Sequence, residues 1–302
     1  MALQIKSVML LGGSGTLGPF IIDALLQAGS FDVSVLSRPT SKSTFPPNVK
    51  VHKSDLSRAS LTDVFRGQDA VIDLIAQGSL EDRKRYIDAA VEAGVKRFIP
   101  SEFSSNMENE ANVALIPPLF MTRVATRDYL KSKAASNPNF SYTVVSNGPF
   151  YEWGLNTNFL GFNAKECKAV IYDDGTQRFS STTLSSVGKA VAGILSKPAE
   201  TANKGLFIAS FTPNQNEILA TLEEITGKKW AVEKASTTEA LQQGREKLGK
   251  GDMSGFFQLL IASTLGPENG NNYEESATLS NDLLGLPKED LKTVTKAVLE
   301  GN

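Results

Sequence analysis

Ser7-Val8-Met9-Leu10-Leu11-Gly12-Gly13-Ser14-Gly15-Thr16-Leu17-Gly18 is the stretch on which the reading of this chain turns. It starts as a short apolar strand and ends in a run of glycines. After it, Phe20, Ile21, Ala24, Leu25 and Ala28 recur at helical spacing, and Gly29 stands where a helix would be capped. Gly13, Gly15 and Gly18 satisfy Gly-x-Gly-x-x-Gly between a strand and a helix, the context that gives this pattern its meaning, and Gly12, Gly15 and Gly18 also fit a three-apart spacing. A turn without β-carbons lets backbone amides and the helix N-terminus approach a pyrophosphate. Gly12, Ser14, Gly15, Thr16, Leu17 and Gly18 are therefore the candidate phosphate contacts.

Working outward, a second strand runs from Asp32 to Leu36 and a third from Val49 to Lys53. Roughly 20 residues after the glycine loop, a site for NAD would carry Asp or Glu to bind the ribose hydroxyls. This chain has Ser37-Arg38 there. A guanidinium binds a 2′-phosphate through charge-assisted bonds that an acidic side chain would oppose. NADPH/NADP+ is the expected cofactor, with Ser37, Ser41 and Lys42 as helpers. The competing reading of Arg38 is a solvated loop charge. Asp55 and Leu56, after the third strand, are placed to flank the adenine. Ala76-Gln77-Gly78, after a fourth strand at Ala70–Leu74, sits where backbone faces such a cofactor.

The alternation continues with a short helix near Leu61–Phe65, a helix from about Leu80 to Ala93, a strand at Arg97–Pro100, a helix from about Leu119 to Ala134 and a strand at Ser141–Ser146. Such a pattern predicts an α/β fold, a doubly wound parallel sheet of Rossmann type with helices on both faces. Asn147-Gly148-Pro149 is where the chain is expected to leave the sheet. Residues 1–150 are thus expected to form the nucleotide domain, rejoined by about 180–210 through a helix at Ser186–Leu195 and a strand at Gly205–Ile208. Residues 151–302 are read mainly as a smaller α+β substrate region, with a hairpin around Ala169–Gly175 and a loop at Gly266–Asn272.

The 302 residues are 41% hydrophobic and 21% charged, which suits a globular chain and excludes a disordered or fibrous one. A net charge of −2 provides no broad field for nucleic acid or an anionic membrane. Met1-Ala2-Leu3-Gln4-Ile5-Lys6 lacks the features of a secretion signal, and no apolar run approaches the roughly 20 residues that cross a bilayer. The lone Cys167 has no partner for an internal disulfide and no neighbouring histidine, so a reducing, cytoplasmic location is expected. His52 is the single histidine and falls in an alternating strand pattern, which excludes histidine-rich metal sites. No metal site is expected.

The chain resembles the isoflavone reductase-like, NmrA-like branch of the atypical short-chain dehydrogenases. The resemblance rests on Gly12–Gly18, Ser37-Arg38, Val95-Lys96-Arg97-Phe98-Ile99-Pro100-Ser101-Glu102-Phe103 and Tyr142-Thr143-Val144-Val145-Ser146-Asn147-Gly148-Pro149-Phe150, and more weakly on Thr182–Val191. It covers roughly the first 160 residues well. It implies an NADPH-dependent reductase with its substrate cleft between the nucleotide domain and a smaller C-terminal region. Ser101, Glu102 and Asn147 are further candidate cofactor contacts because ligands of parallel sheets sit at the carboxyl ends of strands, and Phe103, Pro149 and Phe150, in the stretches that carry the resemblance, complete the set. Reductases of this family place a lysine on the helix after the Ser-Glu-Phe stretch; aligning Phe120 and Arg127 with that pattern puts Arg123 there. A guanidinium stays protonated and cannot exchange protons as a tuned lysine does.

Arg123 is thus one candidate catalytic residue, holding the nicotinamide ribose or stabilising negative charge. Tyr151 is the other, delivering a proton unless water does so. Tyr151 and Trp153 are also read as lining an aromatic pocket, with burial at a domain hinge as the alternative. Tyr129 and Lys133 match the Tyr-x-x-x-Lys spacing of ordinary short-chain dehydrogenases, but Tyr129 falls near the end of its helix, away from the strand tips. The leading function is reduction of a small aromatic or conjugated metabolite. A non-catalytic NADP(H)-binding regulator and a non-redox enzyme that keeps the cofactor site are the competing readings. Oligomeric state is left open.

Overall fold

The computed structural model describes residues 4–267 and 269–301. The first three residues of the start and Glu268 of the 266–272 loop, both read in the sequence, lie outside the described residues. Seven strands form one parallel sheet: β1 (Ser7–Leu11), β2 (Asp32–Ser37), β3 (Lys50–Lys53), β4 (Ala70–Asp73), β5 (Arg97–Ile99), β6 (Ser141–Ser146) and, after an excursion, β9 (Lys204–Phe207), in the order β3-β2-β1-β4-β5-β6-β9. The order reverses direction at β1, the switch point at which doubly wound sheets open a crevice beyond the carboxyl ends of their strands.

Alternation along each strand supplies two cores. Val8 and Leu10 of β1 point to one face with Val33 and Val35 of β2, where they meet helices Gly18–Ala28 and Leu184–Ser196. Met9 and Leu11 point to the other face with Val71, Phe98 and Val144, beneath helices Arg58–Phe65, Leu80–Glu92 and Pro117–Ser136. Both faces are buried, which is why these strands read as nearly continuous apolar runs. Ser79 caps Leu80–Glu92 with a reciprocal box: its hydroxyl accepts from the Asp82 amide, and the Asp82 carboxylate accepts from the Ser79 amide.

Two close approaches bring distant segments together. A β-carbon at Gly188 would lie 2.4 Å from the Phe20 carbonyl oxygen, so helix Leu184–Ser196 meets helix Gly18–Ala28 backbone to backbone. Arg97, wholly buried in β5, donates to the hydroxyls of Ser141, Thr143 and Thr201 at 2.9 Å each and to the Pro198 carbonyl at 2.6 Å. Burial lowers its pKa to about 10, still charged at neutral pH. This fan of donors helps fix the turn that leads β9 onto the sheet beside β6.

The chain leaves the sheet after β6, where Gly148 takes a φ of 64° against the Ser180 carbonyl. A second, mixed sheet of order β10-β8-β7 follows, from β7 (Phe162–Asn163), β8 (Lys168–Tyr172) and β10 (Ala231–Ala235). It has its own core, which includes Leu155, Phe179, Ile218 and Trp230. The expected hairpin around 169–175 is corrected here. The antiparallel partner of β8 is the preceding β7, and β10 runs parallel to β8. The turn after β8 does not reverse the chain into a strand, because Asp173 is tied to the start of the distant helix Thr237–Gly249: its carboxylate accepts from the Thr237 amide at 3.1 Å and hydroxyl at 2.6 Å.

A candidate dinucleotide and substrate cleft

A cleft of about 810 Å³ opens beyond the carboxyl ends of β1, β2, β4 and β5. Gly12, Ser14, Gly15, Thr16 and Leu17 form its floor. The loop folds on itself through Gly15 N–H to Gly12 O at 3.0 Å and Gly18 N–H to Gly15 O at 3.2 Å. Gly18 is not in the cleft wall. A β-carbon there would lie 2.0 Å from the Gly13 carbonyl oxygen, so Gly18 serves helix-to-turn packing. Leu17 occupies the N-cap position of helix Gly18–Ala28 and offers no side-chain acceptor to its first-turn amides. Gly18 N–H is already used by the Gly15 carbonyl and Pro19 has no N–H, so an anion here would meet the backbone of the lining residues Ser14–Leu17, favoured by the positive end of the helix dipole. The residues present fit a dinucleotide pyrophosphate.

At the outer end, Ser37, Arg38, Ser41, Ser43 and Phe45 line the wall. Lys53, which sequence reading treated only as part of a strand, holds this segment: its ammonium donates to the Arg38 and Ser41 carbonyls at 3.3 and 3.2 Å. Lys42 is exposed and does not line the cleft. Leu56 does, at a φ of 65°, whereas Asp55 is exposed and accepts from the Ser57 amide at 2.9 Å. Asp55 serves the turn into the next helix.

Beyond β4, Leu74, Ile75 and Ala76 line the cleft and Gln77 does not. A buried ion pair sets this loop. Arg83 meets Asp73 at 2.7 Å and donates to the Ile75 carbonyl at 2.6 Å. Burial pushes the Asp73 carboxyl up and Arg83 opposes that shift. Neither residue was singled out from sequence, because the pairing spans a strand and the following helix with no motif to mark it.

Ser101, Phe103, Arg123, Phe150, Trp153 and Leu260 form the inner end. Arg123 is half-buried, donates to the Ser104 hydroxyl at 2.7 Å and lies 5.7 Å above the Phe120 ring. It makes no ion pair among the described residues, whereas its neighbour Arg127 contacts Glu102 at 2.5 Å. Burial lowers the Arg123 pKa. The inner end is thus a cation set in an apolar, aromatic wall.

Several expected contacts lie elsewhere. Asn147 is buried and bonds the Gly148 carbonyl, and the Pro149 carbonyl accepts from Thr182 and Ser181, so both shape the exit from the sheet. Glu102 does not line the cleft; it is buried and its carboxylate contacts Arg127. The reading of Tyr151 as a proton donor is corrected. It is fully buried, its hydroxyl is 2.7 Å from Thr295 Oγ1, its ring packs edge-on against Phe211, and burial pushes its pKa up. Tyr151 starts a helix whose apolar face belongs to the core of the smaller sheet, so Phe150 and Trp153 reach the cleft and Tyr151 does not. Tyr129 donates to Asp88 at 2.7 Å and Lys133 pairs with the same carboxylate, forming a helix-to-helix contact outside the cleft. Among the described residues, no cluster of His, Cys, Asp or Glu is arranged to hold a metal ion, and no helix is long and apolar enough to cross a membrane.

Sheet order, glycine loop and cleft together define a Rossmann-type dinucleotide-binding protein. Residues 4–254 match the NmrA-like family, and the chain belongs to that family. It is 35% identical to oxidoreductase aprR of Aspergillus flavus over 97% of this chain and 99% of that one. It is 31% identical to phenylcoumaran benzylic ether reductase Pyrc5 of Pyrus communis over 74% of this chain and 75% of that one. The fold is shared with a crystal structure of isoflavone reductase, at a TM-score of 0.81 and 20% identity, covering 99% of this chain and 100% of the other. It is also shared with Citrobacter sp. triphenylmethane reductase complexed with NADP(H), at a TM-score of 0.70 and 20% identity, over 97% and 99% of the two chains.

Proposed function

We propose that this chain is an NADPH-dependent oxidoreductase that reduces a small aromatic or conjugated molecule. The observation that carries the reading is the continuity of one cleft, in which the glycine loop, Arg38 at one end and Arg123 within the wall of Phe103, Phe150, Trp153 and Leu260 at the other all line the same space. The oxidoreductase relatives and the NADP(H)-bound structural neighbour support it. The dinucleotide, when bound, supplies hydride.

The chain's own residues do the rest. The glycine-loop backbone, at the positive end of the helix dipole, holds the pyrophosphate, and Arg38 grips the 2′-phosphate with Ser37 and Ser41 beside it. Arg123, oriented by Ser104, stabilises negative charge developing on the substrate and keeps its own protons. The aromatic wall, contributed partly by residues after 150, holds a flat apolar ligand and excludes water. An open apolar end beyond the phosphate-binding loop favours reduction over a purely regulatory role. NADPH oxidation measured against a panel of aromatic enones and imines, with product masses, tests the reading. It fails if NADPH binds no more tightly than NADH or if no member of the panel is reduced.

A further inference from the structure

Three arginines gather at the inner end of the cleft, and only two of them have a carboxylate against them. Arg83, Glu102 and Arg123 border a small cavity of about 90 Å³ that shares Ala76 and Ser101 with the cleft wall, and Arg127 follows Arg123 by one turn of helix Pro117–Ser136. Arg83 meets Asp73 at 2.7 Å, and Arg127 meets Glu102 at 2.5 Å and Glu108 at 3.5 Å. Arg123 forms no ion pair among the described residues; its hydrogen bond goes to the neutral Ser104 hydroxyl. Burial lowers the Arg123 pKa, Glu102 raises it, and Arg83 and Arg127 lower it further. An unpaired cation among cations, set in an apolar wall, is a standing cost unless something entering the cleft brings the missing charge.

The donors of Arg123 are open to such a group. Nε and Nη2 of Arg127 are enclosed without a hydrogen-bond partner, whereas no nitrogen of Arg123 is closed off in that way. With Nη1 turned to Ser104, the planar guanidinium still presents further N–H groups where it lines the cleft. The cofactor does not use up this charge. On the reductase reading its 2′-phosphate is matched by Arg38 and its pyrophosphate by the glycine-loop backbone, and the reduced nicotinamide is uncharged. Among the described residues, no acidic side chain lines the cleft.

Resting on the reductase reading above, we propose that the substrate is an aromatic or conjugated carboxylic acid, and that Arg123 binds its carboxylate at the inner end of the cleft. The carboxylate accepts from the guanidinium fork, and the apolar body lies against Phe103, Phe150, Trp153 and Leu260. Trp153 is braced from behind by Phe159, with ring centroids 5.1 Å apart, so this wall is firm. The pairing gives each of the three arginines a carboxylate. A phosphate ester would bring more charge and more oxygens than one guanidinium and Ser101 can satisfy in an otherwise apolar wall. Anchoring the acid also fixes the ligand's orientation, with the reducible bond close to the guanidinium that stabilises the charge developing on it.

The test is titration calorimetry on the full chain saturated with NADP+, using benzoate, cinnamate and 2-naphthoate, each against its primary amide, which keeps the shape and removes the charge. In the native protein the best-bound acid should bind at least about tenfold more tightly than its amide. Arg123→Met should abolish that preference, and Arg123→Lys should keep part of it, because the charge remains but the fork is lost. NADP+ affinity should barely change in either variant. Equal binding of acid and amide, or no binding by any of the acids, overturns the proposal, as do acids that displace NADP+ instead of binding beside it. A preference that persists in Arg123→Met removes Arg123 as the anchor. The native comparison needs no variant, so misfolding of Arg123→Met leaves the test intact. NADPH consumption with conjugated acids and with neutral enones and imines separates the two readings. Carboxylate binding through Arg123 without any turnover supports the anion site and sinks the reductase reading, whereas turnover of neutral compounds with no preference for acids sinks this proposal alone.

Discussion

A single methyl group added at Gly18 or at Gly15 should produce two different failures, although the glycine pattern treats the positions alike. At Gly18 the new carbon would lie 2.0 Å from the Gly13 carbonyl oxygen, 2.4 Å from its carbonyl carbon and 2.7 Å from its Cα. All three are backbone atoms, so no rotamer change relieves the overlap. Separating them to van der Waals contact requires a displacement of more than about 1 Å at the junction of β1 and its helix. Strain of that kind costs about 1–3 kcal/mol, and each kcal/mol lowers the melting temperature by about 2–4 °C in a chain of this size or somewhat smaller. At Gly15 the new carbon would meet only the Gly12 carbonyl oxygen, at 3.3 Å, and would project where Gly15 lines the cleft. Gly15→Ala should therefore melt close to the native protein while losing at least about tenfold in NADPH affinity, about 1.4 kcal/mol. Differential scanning calorimetry without cofactor, paired with isothermal titration of NADPH, separates the two. The reasoning is refuted if Gly18→Ala melts with the native protein, or if Gly15→Ala is destabilised yet binds NADPH normally.

Arg38→Ala should remove most of the preference for NADPH over NADH, a loss of about 1.5–3 kcal/mol for charge-assisted bonds, and parallel titrations with the two cofactors read it directly. Arg123→Ala should lower kcat by about 10²-fold with little change in NADPH affinity, because the phosphate grip lies elsewhere; Arg123→Lys should keep activity, and normal turnover in the alanine variant would remove this residue from the mechanism. Tyr151→Phe should leave turnover unchanged and cost about 1 kcal/mol of stability through the lost Thr295 bond, so a strong rate effect with an unchanged melt would restore it as a proton donor. Glu102 also predicts the slope of stability with pH. Because burial raises its pKa from the ordinary 4.5 to about 7, the folded chain keeps a proton that the unfolded chain has released between those values. Its contribution is complete below the lower value and is lost as pH rises through the upper one. Urea titrations of native protein and Glu102→Gln should differ in slope across that window, and equal slopes would contradict the burial argument.

The nucleotide half of the molecule was legible in sequence for local physical reasons. A strand, a β-carbon-free turn and an amphipathic helix leave periodic traces within about 20 residues, and Ser37-Arg38 follows at the end of the next strand, so the cradle and its 2′-phosphate partner could be read from residues 7–38. Parallel strands buried on both faces also announce themselves as apolar runs, which is why the bounds of β1 and β6 match their sequence readings. What sequence did not determine was direction. Phe150, Tyr151 and Trp153 are neighbours, yet one helical start sends the first and third to the cleft and the second to Thr295 in the core. Gly15 and Gly18 share a motif, yet one faces the cleft and the other the Gly13 backbone. The partner of β8 depended on a tie between Asp173 and Thr237, 64 residues apart, and the loop beyond β4 on the buried Arg83–Asp73 pair. Glu102 shows the division most sharply. Its position at a strand end suggested a contact with the cofactor, but burial, the arginines around it and the cavity it borders come from separate segments. Local periodicity encodes which elements form; the orientation of a side chain, and with it the chemistry of the site, is decided only when distant elements pack and exclude water.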